Sequence, residues 1–242
     1  MSEQYVLFDL PSRDPCRCWS LNPWKTRMLL NFKGVDYRTE WVEYPDIKPT
    51  LEPHVPPHPQ KPQYTIPTVR FPDGRYVMES FAIAREIEAA HPTPSARLDA
   101  PVVAELMGAV PRLLHKLRAV LLPGVPRLIL NERSKPYWHE TRSAMVGKAL
   151  DEWEREVVAA GEPDWDGAEP VLREVTALLK KEAGGPFFLG NEVSYADFIW
   201  GGFLIFFDRL GVSEELLART GDADAHRALL KGLEPWTERS DR

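Results

Sequence analysis

The sequence predicts an α/β domain of β-α-β-loop-β-β-α order followed by an all-α domain. Three observations carry this. Short apolar or alternating runs, the signature of strands, occur only ahead of residue 92. Beyond the linker "PTPSARLDA", apolar residues recur instead at three- and four-residue steps. With 242 residues and 43% hydrophobic content, the chain can bury one large core or two smaller ones. The domains are therefore expected at 1–92 and 100–242, joined by 93–99.

Each element has its own warrant. "QYVLFDL" (residues 4–10) is a short buried strand. "NPWKTRMLLNFKG" reads as a helix, with Pro23 in its first turn and Gly34 as its stop. "VDYRTEWVEY" (35–44) alternates as a second strand. The next stretch, "PDIKPTLEPHVPPHPQKPQ", holds seven of the chain's 23 prolines, so an extended, semi-rigid loop is expected. "YTIPTVRFPDGRYVMES" sets two apolar runs around Pro-Asp-Gly, a β-hairpin, and "ESFAIAREIEAAH" continues as a helix ending before Pro92. In the second domain Val103, Met107, Val110, Leu114 and Leu117 define an amphipathic helix. Further helices are expected over 136–160, 169–182 and 195–210, with a short one near 213–219.

Composition removes several function classes. A formal net charge of −6 lacks the basic excess of a general nucleic-acid binder. No apolar run approaches the ~20 residues of a membrane span; "FIWGGFLIFF" is too short and is followed by Asp208-Arg209. "MSEQYVLFDL" lacks the basic and apolar regions of a secretory signal. Cys16 and Cys18 form no disulfide framework and lack Cys-x-x-Cys spacing. His54 and His58 are four apart, but prolines intervene and no Glu follows the first, so no metal site is expected. A cytoplasmic, soluble protein is the expectation.

Pro67 sits at the start of a strand, where a proline removes a ladder donor. A cis Ile66–Pro67 bond, accessible at ~0.5–1 kcal/mol before proline, would turn the backbone of Ile66 outward to pair with an extended peptide ligand. The hairpin then returns to Glu79-Ser80 at a helix N-terminus, whose free N–H groups suit a carboxylate. Ser80 can donate its hydroxyl there, and Glu79 can take an α-ammonium.

"TIPTV…DGRYVMES" resembles the glutathione-site motif of the cytosolic glutathione transferases. "GPFFLGNEVSYADF" (185–198) is similar to that superfamily's second-domain signature, with Ser194 and Asp197 spaced as a capping box. "WSLNPWKTRMLLNFKG", together with the proline-rich insertion, resembles the fungal etherase-like FuA class, although Leu21 stands where that class has proline. The resemblance implies a thioredoxin-like first domain, a helical second domain, glutathione as cosubstrate, no metal, and a homodimer to which Arg85 could contribute. It also implies that Ser20 heads the first helix and donates to the glutathione thiolate. Capping of that helix by Ser20 or Asn22 is the structural alternative, and Asn22 and Ser12 are lesser catalytic candidates. Ile66, Pro67, Glu79 and Ser80 would bind glutathione, with Lys48, Lys61 and Gln63 near its glycyl carboxylate. The second substrate, a hydrophobic small molecule, would lie between the loop 11–19 and the helix around 107–114, touching Trp19, Met107 and Arg112. Conjugation or ether cleavage is the leading activity. A glutathione-dependent cis–trans isomerase of a fungal biosynthetic pathway and a non-catalytic carrier of hydrophobic ligands are the alternatives.

Overall fold

Tyr5–Asp9 (β1) is buried along its whole length, as a strand covered on both faces must be. It pairs in parallel with β2 (Tyr37–Trp41) and antiparallel with β3 (Thr68–Arg70). β4 (Tyr76–Met78) pairs with β3, giving a four-stranded mixed sheet of order β2-β1-β3-β4. Parallel strands need a crossover, and α1 (Leu21–Phe32) supplies it between β1 and β2. α3 (Ser80–Ala90) follows β4. The structure is a computed structural model that describes residues 4–59, 62–161 and 163–240.

Pro67 falls one residue ahead of β3, whose first paired residue is Thr68, so its missing N–H removes no ladder bond. The Ile66–Pro67 bond is cis, as are Asp14–Pro15 and Thr93–Pro94. The proline-rich segment differs from the extended loop expected of it. A 3-10 turn at Tyr44–Asp46 runs into a short helix, α2 (Ile47–Leu51). Pro49 is the third residue of α2, where an N–H has no intrahelical acceptor to lose. Ile47, Leu51 and Val55 are buried and anchor the segment to the domain.

The second part is helical throughout: α4 (Pro101–Lys116), α5 (Arg118–Leu128), α6 (Lys135–Val146), α7 (Leu150–Ala159), α8 (Trp165–Leu179), α9 (Tyr195–Arg209), α10 (Ser213–Ala218) and α11 (Ala223–Thr237). The single helix expected over 136–160 is two, because Gly147 adopts φ 77° and closes α6. The sequence signals no helix over 118–128, where Pro123 and Pro126 interrupt the pattern. Pro126 cannot donate to the Leu122 carbonyl, and the Trp138 indole N–H does so instead at 2.9 Å. That substitution lets α5 keep a proline in its interior. α11, over a stretch where no helix is expected from the sequence, also contains a proline, Pro235, and is capped by Asp222, whose carboxylate accepts from the Ala225 N–H.

α9 is the buried axis of the molecule and packs against α1. Its start is the expected box: Asp197 accepts from the Ser194 N–H and hydroxyl, each at 2.8 Å, and from the Phe188 N–H at 2.9 Å. Gly202 permits the closest approach, since a Cβ there would lie 2.8 Å from the Leu21 carbonyl oxygen. The residue after Ser20 is thus seated directly on α9. Beneath it, Arg27 of α1 pairs with Asp9 of β1 at 2.8 Å, both side chains fully buried.

Candidate active site

Ser20 closes the loop after β1 and stands just ahead of the first turn of α1. Its backbone is extended, at φ −78° and ψ 136°, and its side chain makes no capping hydrogen bond. The hydroxyl is therefore not spent on the helix, while the unpaired N–H groups of that turn leave positive potential beside it. Ser20 lines a cavity of about 550 Å³ together with Ile66, Pro67, Glu79, Ser80 and Met107. The peptide N–H and C=O of Ile66 make no hydrogen bond to other described residues. Glu79 holds φ at 72°, in the left-handed region, as it turns the chain from β4 into α3. Its carboxylate accepts from the Thr65 hydroxyl at 2.6 Å. The Ser80 carbonyl accepts from the Tyr195 hydroxyl at 3.1 Å, so the start of α9 braces the start of α3.

Charge in the cavity comes from both parts of the chain. Burial pushes the Lys25 ammonium down to about 8, with the Glu79 carboxylate pulling the other way. Lys25 donates to the Asn22 side-chain oxygen at 2.8 Å. Tyr44, Tyr137 and Arg142 line the same cavity. The two tyrosine rings stack at 5.9 Å and 16°. Burial pushes the Tyr44 phenol up to about 12, against the nearby Arg142 charge.

The structure thus brings Ser20, Ile66, Pro67, Glu79, Ser80 and Met107 to one cavity, and it sets other expected residues elsewhere. Trp19 is 2% exposed, packs on Phe206 at 5.8 Å and donates to the Pro11 carbonyl. Arg112 points outward and forms a forked pair with Glu174 at 2.7 and 2.9 Å. Five helical residues separate it from Met107, a rotation of about 140°, so the two cannot share a face. Gln63 is exposed and does not line the cavity, and Lys61 lies outside the described residues. Lys48 pairs with Glu52 at 3.7 Å. The Ser12 hydroxyl is taken up by the Arg17 N–H and the Arg13 carbonyl. Burial raises both cysteine thiols, Cys18 strongly, which disfavours their thiolates. His54 stacks on Tyr76 at 4.3 Å, and no His/Cys/Asp/Glu cluster able to hold a metal occurs among the described residues.

Lys25, Tyr44, Tyr137 and Arg142 escaped the sequence reading. Lys25 lies on α1, five residues after Ser20, a signal that could have been used. The other three carry no local signal, because their convergence depends on how α6 docks.

Two family models match this chain. The one described as "Glutathione S-transferase, N-terminal domain" spans residues 19–90, and "Glutathione S-transferase, C-terminal domain" spans 108–234. The chain belongs to the glutathione S-transferase family. The glutathione S-transferase-like protein ustS of Aspergillus flavus is 31% identical over 210 residues, covering 79% of this chain and 76% of that relative. Glutathione transferase GSTFuA3 of Phanerochaete chrysosporium superposes with a TM-score of 0.79 at 28% identity, covering 98% of both chains. The glutathione S-transferase CsGST63524 of Ceriporiopsis subvermispora, crystallised with glutathione, gives a TM-score of 0.81 at 27% identity over 99% of this chain and 100% of that one. In this family member the first matched stretch opens at Trp19, one residue before Ser20, and runs through Ile66, Glu79 and Ser80.

Proposed function

We propose that the chain binds glutathione in this cavity, holds its sulfur as a thiolate and transfers it to an aromatic or apolar electrophile. The observation that carries the reading is Ser20: an uncapped hydroxyl at a helix N-terminus, opening onto the cavity lined by Ile66, Glu79 and Ser80. Ile66 offers unpaired backbone groups to the cysteinyl residue. Ser80 and the first N–H groups of α3 suit the γ-glutamyl carboxylate, and Glu79 suits its ammonium.

The energetics are sufficient. A thiol near pKa 8.5 is only ~3% ionised at pH 7, and lowering it by about two units takes about 2.7 kcal/mol. A hydrogen bond to the anion supplies ~1.5–3 kcal/mol and the helix N-terminus ~0.3–1. Ser20 donates its proton in a hydrogen bond and does not itself attack the electrophile. The sulfur forms the new bond, and the leaving group departs with its electron pair.

Titration of bound glutathione by the ultraviolet absorbance of its thiolate tests this. The wild-type complex is expected to ionise near pH 6.5, and Ser20→Ala to raise that midpoint by about one unit or more. Identical titrations would remove Ser20 from the mechanism. Glutathione consumption separates transfer and ether cleavage from isomerisation, which returns the cosubstrate unchanged.

A further inference from the structure

Arg142 is set apart from its neighbours by its partners. Arg112, Arg127 and Arg133 pair with Glu174, Glu154 and Asp46. Arg142, half-buried on α6, has no carboxylate within ion-pair distance among the described residues. Its guanidinium lies 4.0 Å from the Trp138 ring centre and 5.5 Å from that of Tyr44. Nη1 donates to the Thr141 hydroxyl at 2.8 Å. A guanidinium carries five N–H donors, so these contacts leave several for a ligand. The Trp138 and Tyr44 rings flank it, and a guanidinium can pair with a carboxylate through two bonds.

The rest of the cavity does not use this charge. Lys25 and Glu79 oppose one another on the first-domain side, where the groups suited to glutathione also lie. The wall formed by Tyr44, Tyr137 and Arg142 combines half-buried aromatic rings with one cation that no carboxylate pairs among the described residues. We infer that this wall selects an aromatic electrophile bearing a carboxylate, with Arg142 as the specificity-determining residue. The inference rests on the transferase reading above. In the reaction, the glutathione thiol first gives its proton to solvent. Its sulfur then bonds to the activated ring carbon, and a halide leaves that carbon with the bonding pair, while the carboxylate stays on Arg142.

Binding tests this without turnover. Quenching of tryptophan fluorescence by 3,5-dinitrobenzoate and by its methyl ester is compared with S-methylglutathione at saturation. Wild type is expected to bind the carboxylate at least roughly tenfold tighter than the ester. Arg142→Gln abolishes that difference and Arg142→Lys keeps part of it. Equal wild-type affinities, or a preference retained in Arg142→Gln, overturn the inference. So does a preference seen only without S-methylglutathione, since Arg142 would then belong to the glutathione subsite. Turnover adds a second readout: with 4-chloro-3,5-dinitrobenzoate and its methyl ester, Arg142→Gln lowers the acid-to-ester ratio of kcat/KM roughly tenfold, mainly through KM. If the carboxylate preference holds while bound glutathione titrates as it does in water, recognition of the carboxylate by Arg142 stands and the transferase reading alone falls.

Discussion

Glu79 carries two demands that pull in opposite directions. Its φ of 72° costs a non-glycine residue of order 1–3 kcal/mol, yet its carboxylate must face the cavity. Glu79→Gly relieves the backbone while removing the carboxylate and its bond from Thr65. Stability measured by urea denaturation is expected to stay within about 1 kcal/mol of wild type, while glutathione affinity falls roughly tenfold by calorimetry. Equal losses of both would point to a structural role. Arg27 shows the contrasting case. Its Asp9 partner is fully buried, so Arg27→Met leaves an uncompensated carboxylate and is expected to cost ~3–5 kcal/mol in the same assay.

At the scale of elements, the position of Ser20 is set by the packing of α9 on α1. A methyl group at Gly202 would meet the Leu21 carbonyl at 2.8 Å, and a backbone atom cannot swing aside as a flexible side chain can. Gly202→Ala is therefore expected to destabilise by ~1–3 kcal/mol and to reduce glutathione turnover, although residue 202 itself does not line the cavity. Unchanged thermal stability and rate would show that α1 tolerates the shift. The capping box at the start of α9 was readable from its spacing, because both partners lie within one helical turn. α5 was not, since the donor that makes Pro126 tolerable comes from Trp138 on another helix.

Across the whole molecule, His226 ties α11 to α8 and α9. The Trp200 indole is only a donor, so its 2.8 Å bond to Nδ1 makes that nitrogen the acceptor. Nε2 then carries the hydrogen and donates to the Thr176 hydroxyl oxygen at 2.8 Å, which itself donates to a carbonyl. Protonating Nδ1 would set two N–H groups against each other. Burial accordingly pushes the His226 imidazole down to about 4 from 6.5. Between these values the unfolded chain binds the extra proton, so this group's contribution to stability falls as pH drops from 6.5 to 4, by about 3 kcal/mol in all. Asp197 acts in the opposite sense, as burial pushes its carboxyl up to about 6. The difference between wild type and His226→Gln, measured by urea denaturation across that range, cancels Asp197. It is expected to shrink on acidification, and a constant difference would mean that His226 does not titrate there.

What the sequence by itself determined is what neighbouring residues decide together: the β-α-β-β-α order of the first domain, the turn before β4, the serine ahead of α1 and the Glu79-Ser80 entry to α3. These follow from side-chain period, proline and glycine placement, and capping, all of which act over a few residues. Only the tertiary structure decided the far wall of the cavity. Tyr44 and Arg142 meet across almost a hundred residues of chain, and Met107 lines the cavity while Arg112 pairs with Glu174. Which side of a helix meets a partner depends on how α6 and α4 settle against the first domain, a balance of packing that no local pattern records.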